Sequence, residues 1–197
     1  MRSASNRLTF METALPRKGV LFNAVLVVGF SLVTALFSQF SIWIGPVPIT
    51  GQTFAVLLCG AMLGSRLGAL SQLTYLAIGA TGVPFWFALG GPVGIARIAG
   101  PTGGYLIGFV AAAFVVGWLA ERGWDRRTWK AGVAMAVGSI VIYSFGLLWL
   151  SRFVPGDAVF KAGLYPFVIG DAIKIALAAL ALPAGWRLLR HFKNTIS

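Results

Sequence analysis

Apolar runs long enough to cross a lipid bilayer dominate the chain: Gly19 to Phe40, Tyr105 to Ala120, Ala131 to Leu150, and Tyr165 to about Leu189. A span needs ~20 apolar residues, and in hydrocarbon every backbone polar group must find its partner inside the protein. Charged residues make up 11% of the 197, against about 25% in a soluble domain. The sequence therefore reads as an all-α integral membrane protein, with room for about six transmembrane helices joined by short loops.

The second quarter of the chain is less regular. From Gln52 to Ala80 it is apolar but broken by Gly64-Ser-Arg-Leu-Gly68, which predicts two helices, each short for a full span. Ser41-Ile-Trp-Ile-Gly-Pro-Val-Pro-Ile-Thr-Gly51 cannot continue a helix through its prolines and glycines, and Trp43 suits the membrane interface. Residues 81–104 are aromatic, glycine-rich and carry one charge, Arg97. They read as a long outer loop with a short helical piece, folded back as a lid. Ser151 to Leu164 is a further outer loop, and the last helix is entered through Pro166 and Gly170. Irregular backbone at membrane depth must line water or protein. Loops rich in Gly, Pro and aromatics thus imply a ligand pocket opening to the outside.

The net charge is +11, and its placement is informative. Arg2, Arg7, Arg17 and Lys18 precede the first run, Arg66 lies in a turn, Arg122, Arg126, Arg127 and Lys130 share one polar loop, and Arg187, Arg190 and Lys193 follow the last run. If these regions face the cytoplasm, they hold most of the 16 Lys and Arg residues, which is the positive-inside pattern with both termini cytoplasmic. Residues 1–18 are then a mobile or interfacial cytoplasmic tail, 19–190 a single transmembrane domain, and 191–197 a second cytoplasmic tail. The surplus charge also attracts anionic membrane lipids. No basic face alternates with stacking aromatics, so nucleic acid is not an expected partner.

Catalysis is poorly provided for. The lone His191 sits in the basic C-terminal tail, so no Ser–His or metal–His site is available in the bundle. Five acidic residues leave no carboxylate pair, and no glycine loop ending in Gly-Lys-Ser/Thr is present, so energy for uphill transport must come from another subunit. The single Cys59 excludes an intramolecular disulfide and a cysteine metal cluster; it reads as a small buried hydrophobe. No cofactor or metal is expected. The first apolar run lacks an A-x-A-like cleavage site and does not read as a signal peptide.

Asp171 and Lys174 sit three apart in an otherwise apolar helix, so they share one face. A charge in hydrocarbon costs at least ~2.5 kcal/mol, and such residues usually face an interior cavity and serve a substrate or ion. The bland alternative is a mutual ion pair that fixes the last helix. Arg97 offers a forked donor set suited to a carboxylate, or snorkels to lipid phosphate. Gly100-Pro-Thr-Gly-Gly-Tyr105, with Gly103 and Tyr105, has a backbone that a small ligand can approach, and glycine equally suits a tight entry into the next helix. Tyr75 closes a pocket or packs the core. Thr50 and Gln52 bind a ligand or cap a helix. Ser31 with Ala35, and Gly104 with Gly108, let helices approach closely.

Three segments, Gly45-Pro-Val-Pro-Ile-Thr-Gly-Gln-Thr53, Gly100-Pro-Thr-Gly-Gly-Tyr-Leu-Ile-Gly-Phe109 and Pro166-Phe-Val-Ile-Gly-Asp-Ala-Ile-Lys174, occur in an order and spacing that strongly resembles the BioY family. Those proteins are the biotin-binding S components of energy-coupling factor (ECF) transporters of bacterial and archaeal cytoplasmic membranes. The resemblance runs from about residue 20 to 185. It implies a six-helix S-component fold with biotin beneath the outer loops. The ureido group would be read near Asp171 and Lys174, and the valerate carboxylate by Arg97 or the neighbouring glycine-rich backbone. It also implies partners: a transmembrane coupling protein, for which Ser31 and Ala35 approximate a docking pattern on the first helix, and a pair of ATPases.

Two departures stand out: Ile169 replaces the proline usual before Gly-Asp, and the lid between Pro84 and Gly100 is longer and more aromatic. The competing readings are a solitary small-solute facilitator working without ATPases and an integral-membrane enzyme acting on lipid.

Overall fold

The computed structural model describes residues 8–14 and 19–196. Arg2, Arg7, Arg17 and Lys18, and with them most of the expected N-terminal tail, lie outside the described residues. Four helical segments are long and apolar enough to cross a membrane: α2 (Val20–Ser38), α6 (Gly103–Ala120), α7 (Thr128–Leu150) and the stretch from Gly156 to Phe192, most of which is α9 (Tyr165–Ile196). Between them lie α3 (Gln52–Leu63) and α4 (Ser65–Ala80), of 12 and 16 residues. At 1.5 Å per residue they reach roughly 18 and 24 Å, short of a ~30 Å hydrocarbon core. The interruption read at Gly64 is real.

α6 is the central post, with 67% of its apolar window buried against 17% for α2. It packs on α3, α4 and α7; α2 leans on α4 and α3, and α9 on α7 and α3. These contacts are backbone-close because one partner lacks a side chain. A Cβ on Gly60 would sit 2.5 Å from the Ala113 carbonyl oxygen, and one on Gly104 2.4 Å from that of Phe145. Dispersion between closely approached backbones is what holds helices together once lipid removes the hydrophobic drive. The α3–α4 break turns on Gly64, whose φ of +85° favours glycine. Glu121 then caps α4, accepting from the Ser65 backbone N–H at 2.7 Å and its hydroxyl at 2.8 Å.

Two poles result. At one, Thr9 and Glu12 form a capping box that starts the short helix α1 (Phe10–Ala14), with Thr9 N–H donating to Glu12 at 2.9 Å. Phe10 packs edge-on against Trp186 near the end of α9, and Arg126 donates to the Leu8 carbonyl. Residues 8–14, part of the expected mobile or interfacial tail, are thus folded onto the bundle. The basic loop 121–127 and the last turns of α9 share this pole.

The opposite pole gathers the irregular segments. Ser41–Ile42 (β1) and Ile49–Thr50 (β2) form an antiparallel ribbon in register Ser41↔Thr50, with the two prolines in its loop. Residues 81–102 form the lid, which includes the short helix α5 (Ile95–Ala99). Residues 151–164, expected to be loop, contain a further short helix, α8 (Val159–Gly163).

Candidate ligand-binding site

A cleft opens at the irregular pole between the ribbon, the lid and helices α3, α6, α7 and α9. It encloses roughly 530 Å³ of non-atom space, its open mouth included. Ribbon residues Val47, Pro48 and Thr50 form one wall, Phe87, Ala88 and Arg97 of the lid another, and Tyr105, Tyr143, Phe167 and Lys174 the floor. The floor aromatics interlock: Tyr105 stacks on Phe167 at 6.4 Å, and Tyr143 meets Phe167 edge-on at 6.3 Å. Such a floor suits a compact, partly apolar ring system.

Asp171 and Lys174 do share a face and form the one ion pair among the described residues, at 2.9 Å. Lys174 also donates to the Thr50 carbonyl at 2.7 Å and to the Thr53 hydroxyl at 2.9 Å. All three ammonium protons are therefore placed. Asp171 is buried just behind Lys174. Its Oδ1 accepts from Lys174 and, at 3.3 Å, from Thr53, and its Oδ2 accepts from the Tyr143 hydroxyl. The pair is tied to α3 and α7, so helix α9 cannot rotate without breaking a charge-assisted network.

Arg97 is the second cationic group of the cleft. It is only 4% exposed, stacks 5.0 Å from the Trp43 ring and donates to the Ala88 carbonyl at 3.1 Å. Burial lowers its pKa from the ordinary arginine value. No carboxylate among the described residues lies within ion-pair distance of it. A guanidinium has five donors, and a buried charge normally has a partner. Trp43, which donates its indole N–H to the Leu89 carbonyl at 2.6 Å, fixes lid and ribbon together around this arginine. Snorkelling to lipid phosphate is excluded by that burial.

The remaining sequence candidates divide. Thr50 and Tyr105 line the cleft, although the Tyr105 hydroxyl is spent on the Gly163 carbonyl at 2.8 Å, so only its ring faces a ligand. Gln52 also lines it, but its amide is turned to the Tyr75 hydroxyl and to Thr50. Tyr75 is not part of the lining: fully buried behind it, it stacks on Trp86 and donates to the Trp86 carbonyl, anchoring the lid. Gly103 is likewise outside the lining, because a Cβ there would sit 1.8 Å from the Ile98 carbonyl oxygen at the α5–α6 junction.

Ser31 and Ala35 are buried between α2 and α4, where Ser71 donates to the Val27 carbonyl at 2.9 Å. This leaves them no outward surface for docking a partner. Thr53 and Tyr143 escaped the sequence reading. A tyrosine in the middle of an apolar span, which must find a partner for its hydroxyl, was the available signal for the latter.

These three motifs, far apart in sequence, meet at one cleft, and the model of one family, described as the BioY family, matches residues 9–191. The chain belongs to the BioY family. Among its relatives, a protein of Pyrococcus horikoshii named probable biotin transporter BioY is 43% identical over 155 residues, covering 79% of this chain and 90% of that protein. One of Thermotoga maritima named biotin transporter BioY is 38% identical over 164 residues, covering 83% and 90%. Among solved structures, the 2.1 Å crystal structure of the S-component for biotin from an ECF-type ABC transporter matches with a TM-score of 0.72 at 25% identity, over 83% of this chain and 90% of that one. The fold is that of an ECF S-component. Within this BioY chain, the aromatic lid is held by Ser38, which donates to the Trp86 carbonyl at 3.1 Å, and by Trp149, which donates to the Gly100 carbonyl at 3.0 Å.

Proposed function

We propose that this BioY chain binds biotin in the cleft and carries it across a bacterial or archaeal cytoplasmic membrane as the substrate-binding component of an ECF transporter. It is a transport protein, not an enzyme. The observation that carries the ligand assignment is Arg97: a buried cation on the cleft wall with no acidic partner among the described residues. Its complement is an anionic group on the ligand, and biotin brings a carboxylate. The valerate carboxylate meets the Arg97 fork. The apolar ring system lies on Tyr105, Tyr143 and Phe167, and the ureido group reaches Lys174 and Asp171.

At that end the contacts must exchange. Lys174 has no spare proton, so a ureido carbonyl competes with the Thr50 carbonyl or the Thr53 hydroxyl. For Asp171 the long 3.3 Å contact from Thr53 is the one a ureido N–H replaces most readily. Ligand and protein thus trade hydrogen bonds of similar kind, and affinity comes from the charge-assisted ones.

Helices α2, α3, α4, α6, α7 and α9 form the six-helix membrane domain, within residues 19–190, and both chain ends face the cytoplasm. Support comes from the pole that gathers α1, Arg66, the 121–127 loop and the last turns of α9, which is where the basic residues concentrate. Uphill uptake draws on a transmembrane coupling protein and two ATPases. Equilibrium calorimetry with biotin, using desthiobiotin and lipoate as competitors, tests the ligand. One-to-one saturable binding is expected; no heat at any concentration would refute it. Flux into liposomes holding this chain alone, independent of ATP, would refute the coupling and favour a solitary facilitator.

A further inference from the structure

The pole opposite the cleft holds a second concavity that biotin binding does not use. It lies between the start of α7 and the last turns of α9, and Arg126, Arg127, Trp129, Pro183, Arg187 and Arg190 line it. No acidic residue is in its lining. Arg127, Arg187 and Arg190 are exposed, arrive from two different elements, and turn toward one groove. Arg190 is steadied by an Nε bond to the Trp186 carbonyl at 3.3 Å. Like charges gathered this closely repel one another unless an anion neutralises them. α7 adds to the field: its 23 residues begin without a side-chain cap, and its positive dipole end opens here.

The surroundings identify the source of the anion. Trp129 is 64% exposed at the entry to an apolar span, the usual position of an interfacial aromatic. One turn further along α7 lies exposed Val133, and on the groove face of α9 Leu180 precedes Pro183 and Arg187 at helical spacing. The groove is therefore cationic at its outer end and runs into bare apolar surface toward the membrane interior. A soluble phosphate would use only the first part. A lipid uses both, with its phosphate among the arginines and its chains along Val133 and Leu180.

We infer that this groove is a specific site for an anionic glycerophospholipid, such as phosphatidylglycerol, which braces α7 against α9 at the basic pole. The two helices are already in near contact there, a Cβ on Gly132 falling 3.7 Å from that of Ala179. The inference rests on membrane insertion and is independent of which solute the cleft carries.

Native mass spectrometry of the purified full chain, released from detergent with phosphatidylglycerol or phosphatidylcholine of identical chains, tests it. Wild type should retain phosphatidylglycerol in preference, and R187Q/R190Q should lose that preference by roughly tenfold. R127Q, which removes one contact, should show a smaller loss. R66Q/R122Q removes the same charge from the same pole outside the groove and should behave as wild type. Biotin binding by the variants confirms that they are folded. Equal retention of the two lipids, or equal losses in both double variants, would overturn the site in favour of general charge attraction. Displacement of the lipid by millimolar glycerol phosphate would overturn the lipid assignment in favour of a soluble anion.

Discussion

Tyr143 of α7 donates its hydroxyl to Oδ2 of Asp171 on α9, while Lys174 holds Oδ1 of the same carboxylate at 2.9 Å. Asp171, buried behind Lys174 and outside the cleft lining, is therefore the joint that sets two neighbouring donors. Asp171→Asn should weaken biotin binding at least tenfold, about 1.4 kcal/mol, and Tyr143→Phe by a few-fold, about 1 kcal/mol. Calorimetry on detergent-purified variants checks both. An unchanged affinity in folded Asp171→Asn would remove this residue from the site.

Arg97 should act on the carboxylate alone. Wild type is expected to bind biotin at least tenfold more tightly than its uncharged amide, as for one charge-assisted contact. In Arg97→Gln the two ligands should bind alike. If the variant still distinguishes them, the carboxylate lies elsewhere.

Gly91 keeps the space that Arg97 occupies. A Cβ there would fall 1.6 Å from Nη1 and 2.9 Å from the Trp43 ring. Gly91→Ala should displace the guanidinium and lower biotin affinity about as much as Arg97→Gln, with the fold intact. Gly156→Ala, where nothing lies within 4 Å, is the silent control. Trp43 reports on the same corner: biotin should change the intrinsic tryptophan emission, and Trp43→Phe should remove most of the change.

Packing at the α3–α4 break sets stability. A Cβ on Gly117 would lie 2.3 Å from the backbone carbon of Gly64, whose positive φ leaves it little freedom to move. Gly117→Ala should cost about 1–3 kcal/mol or more and lower the thermal midpoint in detergent. Gly170→Ala meets nothing and should not.

Asp125 gives the protein a pH dependence at the basic pole. Burial raises its pKa from 3.8 to about 6, partly offset by the hydrogen bond from the Trp186 indole and by Arg126. The folded state therefore holds this proton more tightly than the unfolded chain. Stability from this group is complete below the unfolded pKa and is lost as pH rises through about 6. Thermal midpoints measured across that window should fall more steeply for wild type than for Asp125→Asn. Equal slopes would contradict the assignment.

The membrane class, the broken α3–α4 pair, the lid with its short helix and the Asp171–Lys174 pair were legible in the sequence, because each depends on local spacing or on a costly residue in an apolar run. What crosses between helices was not. Thr53 and Tyr143 complete the Asp171 network from two other helices, and no periodicity reports on that. Ser31 and Ala35 carried two readings, close helix packing and docking of a partner, and their burial supports the packing. The inward side of α2 carries the small and hydroxylated residues Ser31, Thr34, Ala35 and Ser38, and its outward side Val25, Val28, Leu32 and Leu36, so composition alone separates the two faces. Tyr75 shows the converse limit: an aromatic near the pocket in sequence logic proved to be the post on which Trp86 and the lid rest.

A structure of the purified chain with biotin bound tests the central claim most directly. The account predicts the ureido group within hydrogen-bond distance of Lys174 and Asp171, the ring on Tyr105, Tyr143 and Phe167, and the carboxylate on Arg97. Density for biotin away from both Lys174 and Arg97, or none at saturating concentration, would contradict it.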